Sequence, residues 1–133
     1  MSDENAARVA PVEQAILGPP NGDCFRACIA SLLHRELTEV PNYHGFNWWN
    51  RYVAWGRRHG LEFVWYEDAA DVPDGLLWIA APVSPRNQEI LHSVVALGDR
   101  IVWDPYPGVG SASRCDLSTT DGAIVVRAAG DAL

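Results

Sequence analysis

Three cysteines and four histidines are the residues of this 133-residue chain best suited to act as nucleophile or general base. Cys24 stands apart by its setting. The turn Gly18-Pro19-Pro20-Asn21-Gly22-Asp23 can continue neither a helix nor a central strand, and it gives way at Cys24 to a run of helical spacing. A cysteine at a first helical residue meets unpaired N–H groups and the positive end of the helix dipole. Both favour the thiolate, the form that attacks carbonyls. The same N–H groups suit the oxyanion of a tetrahedral intermediate. Gly22 permits close backbone approach and Asp23 is a preferred N-cap residue. Position alone also allows Cys24 to be a small apolar residue at a helix edge. Cys28, one turn on, falls in the apolar stripe and reads as packing, while Cys115 lies in a polar loop with no assigned role.

A nucleophilic cysteine needs a base. His34 falls on the polar face of the first helix and His59 ends the second, where it complements the dipole; His44, in the loop before Phe46, is a cleft candidate. His92 opens Ser93-Val94-Val95-Ala96-Leu97, and Asp104 closes Arg100-Ile101-Val102-Trp103 ahead of Pro105. A carboxylate behind an imidazole fixes its tautomer and steadies its cation. Taken without Cys24, both are ordinary polar residues at strand ends. The two runs meet at Gly98-Asp99 and should form a hairpin. A two-residue loop alone would set His92 and Asp104 on opposite faces. A three-residue loop, Gly98-Asp99-Arg100, or one bulge, puts Val94 opposite Asp104 and brings Asp104 onto the face of His92, and that arrangement is the expectation.

The elements that must position these residues can be read from the pattern. Phe25, Cys28, Ile29 and Leu32 form the buried stripe of a half-buried helix over 24–34, with Arg26, Ala30 and His34 on the other side. A second helix over 47–59 carries Trp48, Trp49, Tyr52, Val53 and Trp55 on its buried face and stops at Gly60. Then come short Val-, Ile-, Leu- and aromatic-rich runs at Leu61–Tyr66, 76–81, 91–97, Arg100–Trp103 and Ala123–Ala128. Helices first and strands afterwards describe an α+β domain with an antiparallel sheet. Residues 1–12 read as a flexible tail, although 12–17 has the pattern of a docked edge segment, and 13–133 as one domain.

Composition narrows the partners. A hydrophobic content of 48% with 20% charged residues is globular, and the chain is long enough to fold without staples, which become common below about 40 residues. An odd number of cysteines without framework spacing, and a polar N-terminus without a signal pattern, fit a cytoplasmic protein. The net charge of -7 disfavours nucleic acid and anionic lipid, and the one basic cluster, Arg57-Arg58-His59, reads as a solvated helix end. No stretch approaches the ~18 apolar residues of a membrane span.

Gly22-Asp23-Cys24 at a helix start, a strand-opening His92 and a strand-closing Asp104-Pro105 together resemble the papain-like cysteine peptidase superfamily. The closest likeness is to small bacterial and phage branches related to bacteriocin-leader peptidases and NlpC/P60-type cell-wall amidases. The series 24–33, Glu39-Val40-Pro41, the Trp-rich helix, Ser84-Pro85-Arg86, His92-Ser93-Val94-Val95 and Asp104-Pro105-Tyr106-Pro107 is similar to a phage-associated set of such proteins. The resemblance implies a Cys24 nucleophile, a His92 base and an Asp104 orienter, acting on a peptide or amide without metal or organic cofactor. Such enzymes often carry a glutamine about six residues before the cysteine to complete the oxyanion hole. Gly18 stands there; Asn21, on the turn with Cys24, is the favoured substitute and Gln14 the alternative. Ser84, Arg86 and Asn87, in the loop before His92, are candidate substrate contacts, with Arg86 suited to a carboxylate; a solvated connection is the competing reading.

The leading expectation is therefore a peptidase or amidase working through an acyl-enzyme. An acyltransferase or cross-linking enzyme on the same residues is the nearest rival. A non-catalytic binding or inhibitory module, phage-encoded for instance, is a third reading. A zinc site of Cys24, Cys28, His92 and Cys115 is a fourth, and two cysteines one helical turn apart match structural zinc knuckles poorly.

Overall fold

The structure, a computed structural model, describes residues 9–129. The first helix, α1, spans Cys24–Leu33. It is buried more completely than its amphipathic pattern suggests: Ala27 to Ser31 are all buried, including Ala30, expected on the open side. The reason lies upstream. Ala10 N–H donates to the carbonyl of Ser31 at 2.9 Å, and Ser31 Oγ donates to the carbonyl of Val12 at 3.2 Å, so the chain entering the domain covers the polar flank of α1. Residues 9–12, read as part of a tail, are thus docked, and residues 1–8 lie outside the described residues. The helix ends at His34, in the left-handed region at φ 55°, whose N–H returns to Ala30.

The second helix, α2, spans Trp48–Arg58, and Gly60 follows at φ 72°, a conformation that costs glycine little. Tyr52, Trp55 and Gly56 are its buried residues. Tyr52 is fully buried among Phe25, Tyr43, Trp48 and Phe63, and its hydroxyl donates to the Pro41 carbonyl at 2.9 Å while accepting from Tyr43 N–H at 3.1 Å. Burying such a ring stabilises the fold by about 2 kcal/mol, and the paired hydroxyl removes the polar penalty. Trp48 departs from expectation: it is 39% exposed, because the first turn of α2 runs past the edge of the core.

Five strands form one antiparallel sheet in the order β1-β5-β2-β3-β4: β1 Leu61–Tyr66, β2 Leu77–Ala80, β3 Val94–Leu97, β4 Arg100–Trp103 and β5 Ala123–Ala128. The architecture is α+β, as expected. Strand β3 is shorter than the apolar run 91–97, because Leu91 pairs with Val83 in an isolated bridge and His92 N–H is taken by the Pro82 carbonyl at 2.8 Å. One face of the sheet, with Phe63, Ile79, Val95, Leu97, Val102 and Ile124, packs on the helices. The other, with Trp78, Ala80, Val94, Ala96, Ala123 and Val125, is covered by turns and loops carrying Val72, Leu76, Cys115 and Leu117. Three alanines on that face leave room for loops rather than helices.

Candidate active site

The turn before α1 closes tightly. A side chain on Gly22 would put its Cβ 2.7 Å from the Gly18 carbonyl oxygen, closer than packing allows, so glycine is required for the approach. Asp23, expected as a cap, makes no side-chain capping bond. Its carboxylate turns back instead, Oδ1 accepting from Ala15 N–H at 3.0 Å and Ile16 N–H at 2.8 Å, while Oδ2 lies 3.4 Å from Arg26 Nη1. The buried carboxylate ties the incoming chain to the start of α1 and leaves the first-turn N–H groups without a side-chain acceptor, the condition for holding an anion there.

His92 and Asp104 reach the same place through the β3–β4 hairpin. Leu97 pairs with Arg100 across a two-residue loop, and Ala96 with Ile101, but Val95 pairs with Trp103. The register shift makes Val102 an extra residue in β4. Val102 and Trp103 therefore both face the helices, and Asp104, next in line, faces the same side as Val94 and His92. Of the routes read from the sequence, the bulge is the one taken.

His92 Nε2 lies 2.6 Å from Asp104 Oδ1, both side chains buried. Asp104 is held from every side: Oδ1 also accepts from Tyr106 N–H at 2.9 Å, and Oδ2 accepts from Ser113 Oγ at 2.6 Å with Cys115 Sγ at 3.9 Å. Burial pushes its carboxyl up, but the His92 and Ser113 hydrogen bonds outweigh that and hold it below the ordinary value. Burial likewise pulls His92 down, yet its bonds to Asp104 and Cys24 raise it from 6.5 to about 9. With Nε2 engaged by Asp104, Nδ1 is the ring nitrogen left for the sulfur. Cys24 Sγ accepts from Ser93 N–H at 3.4 Å. Burial raises the thiol, and the hydrogen bond and charge of His92 together with Ser93 bring it below its usual value. The two shifts run in the directions that favour a thiolate beside an imidazolium.

The other cysteines differ. Cys28 is fully buried, and burial pushes it well above the ordinary thiol range; Cys115 is half-buried and is raised by burial and by Asp104. Among the described residues no group of three or more His, Cys, Asp or Glu side chains is arranged to hold a metal ion, so the alternative zinc site is not formed.

A cleft of about 420 Å³ is lined by Phe25 and Ser93, the chain neighbours of Cys24 and His92, with Trp48, Trp65 and Leu91 as further apolar walls and His44 and Asp121 as polar members; Cys24, His92 and Asp104 do not themselves line it. Trp48, Trp65 and Leu91 are each more than a third exposed, so the cleft offers apolar surface to a ligand. His44 Nε2 is 2.9 Å from Asn42 Oδ1.

The remaining expected contacts are placed as follows. Gln14 is 7% exposed; its N–H donates to the carbonyl of Pro105 at 2.8 Å, Nε2 donates to the Ile16 carbonyl at 2.9 Å, and Oε1 is buried without a partner. Asn21 is exposed, and its carbonyl accepts from Asn42 Nδ2 at 3.1 Å. Ser84, expected at a cleft rim, is buried and accepts from Arg86 N–H at 3.2 Å, so it shapes the loop from inside. Arg86 lies over the Tyr106 ring at 3.6 Å, and Tyr106 meets His92 edge-on at 6.4 Å. Asn87 is exposed and accepts from Glu89 N–H at 3.0 Å. Sequence reasoning missed Ser93, whose contribution is a backbone N–H, and Ser113, whose polar loop carries no periodic signal.

Comparison with protein-family models, with curated proteins and with solved structures yields no match. Among the described residues no helix is long and apolar enough to cross a membrane.

Proposed function

We propose that this protein is a papain-like cysteine hydrolase, a peptidase or amidase, with Cys24 as nucleophile, His92 as base and acid, and Asp104 as orienter. One observation carries the reading: His92, 2.6 Å from a carboxylate buried with it, shares its other side with a thiol at a helix start. The order of a cysteine helix, a second helix and an antiparallel sheet bearing histidine then acid agrees with the same superfamily.

In this mechanism the Cys24 thiolate attacks an amide carbonyl, forming the C–S bond and an oxyanion. Free N–H groups at the start of α1 stabilise that charge. Gln14 Nε2 already donates to the Ile16 carbonyl and its unpaired Oε1 can only accept, so Asn21, on the turn before Cys24, stays the favoured side-chain supplement and Gln14 the alternative. As the C–N bond breaks, the His92 imidazolium gives its proton to the leaving amine. Water then attacks the thioester with His92 taking its proton, and release of the carboxylic acid restores the thiolate. Asp104 keeps the ring in one tautomer and offsets its charge throughout. The aromatic walls beside Cys24 favour an apolar side chain on the substrate.

The test is incubation of the protein with a library of aromatic-containing peptides and a competing amine, read by mass spectrometry. The reading expects Cys24-linked acyl-enzyme and free acid, both absent in Cys24→Ala. A new amide in place of acid would assign acyl transfer. No adduct, with Cys24 alkylated no faster than a model thiol and unchanged in His92→Ala, would make the protein a binding module.

A further inference from the structure

Arg86 stands one ring away from the His92 imidazole. Its guanidinium lies 3.6 Å from the centre of the Tyr106 ring, and that ring meets His92 edge-on at 6.4 Å. Exposure grades along the series: His92 is buried, Tyr106 half-buried and Arg86 exposed. The loop fixes the cation from behind. Arg86 N–H donates to Ser84 Oγ at 3.2 Å, buried Ser84 donates its own N–H to the Ile90 carbonyl at 2.9 Å, and Ile90 N–H returns to the Asn87 carbonyl at 3.2 Å. A guanidinium stacked on an aromatic face keeps its in-plane N–H donors free for a second partner. No carboxylate of the described residues pairs with them, and the buried Asp104 has both oxygens engaged by His92, Tyr106 and Ser113. The aromatic cleft lined by Phe25 and Ser93 includes neither Arg86 nor Tyr106, so the two features flank the catalytic residues separately.

On the catalytic reading above, on which this inference rests, His92 hands its proton to the leaving amine. That amine and the residue it belongs to must therefore lie against the imidazole, and Tyr106 with Arg86 is stacked beside it. We propose that Arg86 receives a carboxylate on the leaving side of the scissile bond, so that the substrate class is peptides or amides whose leaving residue is acidic or ends its chain. Tyr106 is the platform that holds the guanidinium plane, and the arginine fork matches a carboxylate through two parallel N–H···O bonds. The net charge of -7 gives the protein no general attraction for anions, so selection of a carboxylate at this point is local. With an apolar side chain in the aromatic cleft, the two flanks differ in chemistry and orient the substrate across Cys24.

The experiment uses the full chain and two maleimides of one shape, 4-maleimidobutyric acid and its primary amide, with the rate at Cys24 followed by peptide mass mapping. At low salt the acid should react several-fold faster than the amide, against the net charge of the protein. Arg86→Gln should bring the two rates together, whereas Arg58→Gln, which removes the same charge from the end of α2, should keep them apart. A second arm measures binding to Cys24→Ala by calorimetry. Acetyl-Phe-Ala and acetyl-Phe-Asp-amide each carry one carboxylate, and acetyl-Phe-Ala-amide carries none. Preference for the first assigns a chain end and preference for the second an acidic side chain; either should exceed the neutral peptide about tenfold and lose that margin with Arg86→Gln. A rate ratio unchanged by Arg86→Gln, or no preference among the three peptides, would overturn the proposal. Neither arm needs turnover. A carboxylate preference that depends on Arg86 in a protein that cleaves nothing refutes only the catalytic reading, and cleavage indifferent to carboxylates refutes only the role of Arg86.

Discussion

Replacing Asp104 with asparagine removes a charge while keeping its shape. The carboxylate accepts hydrogen bonds from His92, Tyr106 and Ser113, and a longer one from Cys115 Sγ. An amide oxygen can keep those of His92 and Tyr106, and its NH₂ can donate to the Ser113 hydroxyl. The rise of His92 from 6.5 to about 9 corresponds to roughly 3 kcal/mol of preference for the imidazolium. Asp104 heads the contributions that favour the cation, so its loss should remove on the order of 2 kcal/mol of this preference and with it the counter-ion of the Cys24 thiolate. Alkylation of Cys24 by iodoacetamide at neutral pH should then slow by about ten- to thirtyfold. The assay is rate against pH, with each cysteine resolved by mass mapping; Cys28 and Cys115, both raised, serve as slow internal controls. The native protein should react below the pH at which an ordinary thiol ionises, and the Asp104→Asn curve should be displaced toward that of the ordinary thiol. Superimposable curves, with both proteins folded by circular dichroism, would refute the charge-based account.

Two further outcomes follow from the same network. Ser113→Ala deletes a 2.6 Å bond to Asp104 and should cost about 1 kcal/mol in urea denaturation, with a slowing of Cys24 alkylation smaller than that of Asp104→Asn; a slowing as large would mean that Ser113 fixes the geometry rather than merely supporting the charge. Stability against pH has a definite shape. Asp104, depressed from 3.8, stabilises above that value and stops doing so as pH falls through its lower folded value. His92, raised, stabilises below 6.5 and loses this as pH climbs through about 9, while Cys24, depressed, contributes stabilisation that is fully present only above 9.0. Thermal midpoints should therefore fall on the acid side more steeply in the native protein than in Asp104→Asn.

Much of this arrangement is legible in the residues. Proline and glycine before Cys24 fix where α1 begins, and the apolar runs on either side of Gly98-Asp99 fix the hairpin that carries His92 toward Asp104. Alternation also shows that an odd residue must enter that hairpin, since without one the imidazole and the carboxylate would be separated by the sheet. Periodicity is silent elsewhere. The burial of Ala30 depends on the chain at residues 9–12 folding back over α1, a contact that no helical wheel contains. Asp23 has the side chain of a cap, and the two upstream N–H groups at Ala15 and Ile16 compete for it successfully. Ser113 reaches Asp104 because Asp104 bridges to Gly110 and turns the loop back on itself, a pairing unmarked in the polar loop. Trp48 and Trp65 have the look of core residues and instead wall a cleft, because aromatic spacing identifies a face of an element and not what covers it.

The extra residue at Val102 turns the chemistry proposed for this protein into a matter of counting. Whether imidazole and carboxylate can meet depends on whether the number of residues between them around the hairpin is odd or even, largely independent of which residues these are. Loss or gain of one would leave both side chains in the protein and part them; loss or gain of two would restore the meeting at a shifted height. Lineages of such a hairpin should therefore tolerate changes of length in pairs, a constraint written in parity rather than in composition.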